Sequence, residues 1–94
     1  MRILFITNYG DGMDVALRMK MEGNQVKAWI KDRKYQDIFD GLIEKVPAFG
    51  PAIYWADLIV FDDNGCKEVW EMAHRIKPCF GGSSFGEKLV LPIG

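Results

Sequence analysis

The sequence predicts an α/β domain of three layers, a four-stranded parallel sheet of order 2-1-3-4 flanked by helices. Three observations carry this. Ile3 to Ile6 and Asp57 to Phe61 are continuous apolar runs without alternation, as expected of strands covered on both faces. Each is followed by a polar loop with glycine and then by apolar residues at helical spacing. Strands that alternate with helices imply parallel pairing through right-handed crossovers, here within a single domain over residues 1–94.

The first strand runs from Arg2 to Thr7 and belongs at the sheet centre. A helix then starts near Gly12 or Met13, buries Met13, Ala16, Leu17 and Met21, and stops at Gly23-Asn24, where a residue tolerant of positive φ is favoured. Gln25 to Ile30 alternates, with Val26, Ala28 and Ile30 on one face, and reads as a strand nearer the edge. Ile38, Phe39, Leu42 and Ile43 fall at helical spacing, so a second helix is expected from Tyr35 to Lys45, ended by Pro47. Ala52 to Ala56 reads as one helical turn before the strand Asp57 to Phe61. A third helix follows, burying Cys66, Val69, Met72, Ala73 and Ile76 until Pro78 breaks it. Pro78 to Phe80 is the fourth strand, and the tail Leu89 to Gly94 is expected to end before another element forms.

Composition excludes several classes of function. A chain of 94 residues buries roughly 60 to 70% of its unfolded surface, enough for one core and no second lobe. With 12 Lys+Arg against 13 Asp+Glu there is no electrostatic footprint for duplex nucleic acid. Cys66 and Cys79 form no CxxC and the chain has 1 His, so no zinc site is expected, and the two thiols read as buried and free. The N-terminal apolar run is too short for a signal peptide or a membrane span, and a soluble cytoplasmic protein with no membrane partner is expected.

Three loops are expected to meet at the carboxyl edge of the sheet, beside the switch point where ligands of open α/β sheets bind. They are Asn8-Tyr9-Gly10-Asp11-Gly12, Asp62-Asp63-Asn64-Gly65 and Gly81-Gly82-Ser83-Ser84. Glycine lets a ligand approach backbone, and a helix beginning at Gly12-Met13 presents N–H groups to an anion. Position 15 is Val, so the third glycine of GxGxxG is missing, and Asp11 and Asp14 repel a phosphate. Gly10 and Gly12 therefore serve either a ligand or the turn alone, and Asp14 either a ligand or the helix dipole. Asp62 and Asp63 are candidates for a metal or a ribose hydroxyl, with Asp63 or Asn64 as the alternative cap of the third helix. Lys31-Asp32-Arg33-Lys34 is either a solvated loop or a contact for an acidic ligand. His74 reads as a surface residue without a nucleophile to serve, and Trp29, Trp55 and Trp70 as too dispersed for a stacking platform.

Gly10 to Leu17, the strand Asp57 to Phe61 with its polar end Asp62-Asp63-Asn64, and the run Phe80 to Leu89 together resemble a known domain. It is the N-terminal, Rossmann-like pre-ATP-grasp domain of phosphoribosylamine–glycine ligase, also called glycinamide ribonucleotide synthetase. Gly10 to Leu17 is similar to the family's GGREHAL turn, and Phe80-Gly81-Gly82-Ser83-Ser84 to its FGPS segment. The family's Arg-Glu-His is Met13-Asp14-Val15 here, and its Gly-Pro-Glu is Asp62-Asp63-Asn64. The resemblance implies a domain that binds a small polar or phosphorylated ligand at Asn8 to Asp14, Asp62 to Asn64 and Gly81 to Ser84. Such a domain is not catalytic alone. The parent would be a carbon–nitrogen ligase that uses ATP and Mg²⁺ on an ATP-grasp lobe in cis, while this chain carries no cofactor of its own. The alternative is a free-standing, non-catalytic module of the same fold that acts through protein contacts, and a homodimer is open under either.

Overall fold

The structure, a computed structural model, describes residues 1–62, 65–81 and 89–92. Its strands are β1 (Arg2–Thr7), β2 (Gln25–Ile30), β3 (Glu44–Lys45), β4 (Leu58–Phe61), β5 (Cys79–Phe80) and β6 (Leu89–Val90). Its helices are α1 (Met13–Met21), α2 (Phe49–Trp55) and α3 (Lys67–Ala73). The sheet order is β3-β2-β1-β4-β5-β6, parallel throughout except for the antiparallel pair β5 and β6.

The central strand explains the layering. Every residue from Ile3 to Thr7 is buried, and successive side chains enter opposite cores. Ile3 and Phe5 join Met13 and Ala16 of α1, whereas Leu4 and Ile6 join Ala52 and Ile53 of α2 and Val69 of α3. Helices on both faces leave β1 no polar side, which is why its sequence does not alternate.

The class is α/β as expected, but the sheet is mixed and has 6 strands, not four parallel ones. The four expected strands are adjacent in the expected order, as β2-β1-β4-β5. Each extra strand is a two-residue edge piece, too short to carry a period that sequence can display. β6 lies in the tail, where no element was expected, and pairs Leu89 with Phe80 and Val90 with Cys79.

The expected helix from Tyr35 to Lys45 does not form. A single 3-10 turn, Arg33–Tyr35, is followed by turns in which Phe39 (φ 58) and Gly41 (φ 81) are left-handed, a conformation that no right-handed helix contains. The apolar spacing is satisfied instead by a folded loop, with Ile43 buried and Ile38 and Phe39 packed on the α1 side of the sheet. The Lys45 ammonium fastens this loop through the Ile38 carbonyl at 2.6 Å and the Asp40 carboxylate. α2 exceeds the single expected turn because Pro51 lies at its third residue, where a backbone N–H has no intrahelical acceptor. Met21, Met72 and Ile76, expected in the core, are exposed, Met21 at 79%: Met21 is the last residue of α1, Met72 lies on α3 away from the face of buried Val69 and Ala73, and Ile76 lies past the end of α3.

Cys66 and Cys79 are both buried, and neither is in a disulfide. Burial pushes the Cys79 thiol up to about 12. Because an unfolded thiol titrates near 9.0, the native state binds the extra proton between the two values, and this contribution to stability declines as pH rises above about 9. Iodoacetamide at pH 8 should therefore leave Cys79 unmodified in the native protein and modify it in denaturant, as read by intact mass. Among the described residues no helix is long and apolar enough to cross a membrane.

Candidate functional site

The chain leaves β1 to one side for β2 and later returns on its other side as β4. The switch point therefore lies between the carboxyl ends of β1 and β4. Asn8 to Gly12 follow β1, Asp62 and Gly65 follow β4, and Gly81 follows β5. The structure thus places the described parts of the three expected loops along one edge. Asp63, Asn64, Gly82, Ser83 and Ser84 lie outside the described residues; the N-cap of α3 is Cys66, without a side-chain cap bond, and not Asp63 or Asn64 as expected, because the helix starts only at Lys67.

The centre of this edge is a hydrogen-bonded knot. Asp62 Oδ2 accepts from Thr7 Oγ1 at 2.5 Å and from the Gly12 backbone N–H at 3.0 Å. Thr7 Oγ1 in turn accepts from the Gly10 N–H at 2.8 Å. A carboxylate at the first turn of α1 is favoured by the helix dipole, so Asp62 stands where an external anion would otherwise be held. The neighbouring donors are also engaged: Met13 N–H on the Gly10 carbonyl, Val15 and Ala16 N–H on that of Gly12.

Gly12 is the contact surface for this carboxylate. A Cβ there would lie 2.9 Å from Asp62 Cβ and 2.9 Å from two ring atoms of Phe5. Gly10 (φ 85) and Gly81 (φ 78) turn the chain in the left-handed region, and a Cβ on Gly81 would strike the Phe61 carbonyl oxygen. Met13 is buried and anchors α1 to the sheet, while Asp11 and Asp14 are exposed. Thr7, not singled out from sequence, is the only buried polar residue among the described side chains. Thr7→Val keeps its shape but strands the buried Gly10 N–H, and should cost about 1 to 3 kcal/mol in urea denaturation.

The structure also attaches the basic turn after β2 to this edge. Lys31 N–H donates to the Thr7 carbonyl and Asp32 N–H to that of Asn8, each at 2.9 Å. Tyr9 meets Tyr35 edge to face, ring centres 6.0 Å apart. The Lys31 ammonium donates to the Gly65 carbonyl at 3.3 Å, so it spans from the end of β2 across β1 to the loop after β4. Parallel neighbours deliver the residues after them to adjacent positions, and that rule applied to β1 and β2 would have joined Tyr9 to Lys31-Asp32-Arg33-Lys34 in advance.

A groove of ≈ 400 Å³ adjoins the edge between α2 and α3, with Trp29 and Phe49 edge to face at 5.1 Å and Lys31, Lys67 and Glu68 around them. Trp29 is therefore not an isolated aromatic. Trp55 contacts Lys27, whose ammonium lies 4.4 Å from the ring centre. His74 is half-buried and stacks on Trp70 at 4.0 Å, its Nδ1–H donating to the Trp70 carbonyl at 2.8 Å, which makes it part of the end of α3. Among the described residues no three His, Cys, Asp or Glu side chains are grouped to hold a metal ion.

Fold and edge together define an open α/β domain with a switch-point crevice. Comparison of the chain with protein-family models, curated proteins and solved structures finds no match.

Proposed function

We propose that the chain is the substrate-side, Rossmann-like domain of a ligase of the phosphoribosylamine–glycine ligase type, and that its crevice binds a small polar or phosphorylated ligand. The observation that supports this reading is the convergence of Asn8 to Gly12, Asp62 and Gly81 on one switch point. The same segments carry the resemblance. Binding is the chain's whole share of the chemistry: its loops orient a ligand, and joining an amine to a carboxylate with ATP and Mg²⁺ falls to a lobe outside it. The residues here do not fit ATP, since Asp62 already takes the Gly12 N–H that a triphosphate would need.

Ribose 5-phosphate and glycinamide ribonucleotide, titrated into ¹⁵N-labelled protein, should shift the amides of Asn8 to Asp14 and Gly81 together. Absence of those shifts at millimolar ligand would reject the reading. A second reading, a free-standing non-catalytic module working through protein contacts, draws on the exposed Phe80, Leu89 and Leu91 at the β5–β6 edge. Amides at that edge moving with a protein partner, while the crevice ignores both phosphates, would favour it.

A further inference from the structure

The crevice is electrically divided. Asp11, Asp14 and Asp62 surround the start of α1, and the Gly12, Met13, Val15 and Ala16 N–H groups there are engaged internally. Lys31, Arg33 and Lys34 stand at the other end, on the turn after β2. That turn is held in place. Besides the two backbone bonds to Thr7 and Asn8, Asp32 Oδ1 accepts from the Lys34 N–H at 3.0 Å, the Asp32 carbonyl accepts from the Tyr35 N–H at 3.1 Å, and Tyr35 packs on Tyr9. Among the described residues neither Arg33 nor Lys34 has a carboxylate within ion-pair distance, and both are exposed. Asp32, the one acid within the turn, has its Oδ1 spent on backbone.

From this we infer that the phosphate of a ribose-bearing phosphomonoester is held at the end of β2 by Arg33 and Lys34, with Lys31 at the crevice rim, and not at the N-terminus of α1. The inference rests on the crevice reading above and assigns the ligand's orientation within it. Guanidinium and ammonium groups supply the charge-assisted donors that a phosphate dianion requires. Like charge excludes it from the α1 end. Residues after the second strand of an open α/β sheet reach the ribose of a ligand bound at the first, so the sugar would lie over Asn8 and Tyr9 with its phosphate toward Arg33.

The test uses ribose 5-phosphate, adenosine 5′-monophosphate and ribose as probes, with the unaltered chain and the double variant Arg33→Ala/Lys34→Ala, whose exposed sites leave the core intact. Both phosphates should shift the amides of Lys31 to Tyr35 as well as those of Asn8 and Tyr9, and ribose should leave Lys31 to Tyr35 unmoved. In the double variant both phosphates should bind about tenfold more weakly or worse, the scale of one charge-assisted hydrogen bond. A response to one phosphate alone identifies the carrier as sugar phosphate or nucleotide and supports the assignment equally. Shifts at Asn8 to Asp14 without any at Lys31 to Tyr35, or affinity in the double variant within twofold of the original, overturn it while the crevice reading stands. Shifts confined to Lys31 to Tyr35, or none anywhere, overturn both.

Discussion

Asp62→Ala should lower stability by about 2 to 4 kcal/mol, because one carboxylate oxygen receives both Thr7 Oγ1 and the first free N–H of α1. For a domain of this size that is a fall in Tm of roughly 10 to 20 °C, measured by circular dichroism. Asp62→Asn retains one oxygen to accept the Gly12 N–H but loses the charge and puts an NH₂ group in place of the second oxygen, so it should cost about half as much. If the carboxylate were merely a surface group of the crevice, the two substitutions would be equal and small. The asparagine variant also removes a negative charge from the ligand edge, and ribose 5-phosphate should bind it more tightly than it binds the original chain.

Gly12→Val is the second large effect, about 3 kcal/mol or more of destabilisation in urea unfolding. The first carbon of the new side chain would already meet Asp62 Cβ and the Phe5 ring at 2.9 Å, and valine adds two methyl groups beyond it. Both neighbours are fixed, Phe5 by the α1-side core and Asp62 by its hydrogen bonds. A folded Gly12→Val protein of undiminished stability would show that the contact yields easily and that the glycine is kept for a ligand. The expected loss of fold ties it to the Asp62 contact.

These two residues mark the limit of what sequence could say about the site. Gly12 is visible as a loop-to-helix glycine, and Asp62 as a polar residue after an apolar strand. That the carboxylate of one fills the contact left by the other is a pairing across fifty positions, set by the parallel register of Ile3 with Leu58 through Ile6 with Phe61. The basic turn is the converse case. Its charges are plain in sequence, but its attachment to Tyr9 arises from the β1–β2 register and the Tyr35 ring.

By itself the sequence determined the α/β class, the long strands and the helices α1 and α3, because a strand buried on both faces and a helix against a sheet each impose a period or a run on consecutive residues. Only the tertiary structure decided the fate of Tyr35 to Lys45 and of the tail. There the apolar residues are satisfied by packing against the sheet, and left-handed Phe39 and Gly41 and two-residue edge strands leave no periodic trace. It also decided that the start of α1 is closed by the chain's own Asp62, since a hydrogen bond between distant loops exists only once the sheet has brought them together.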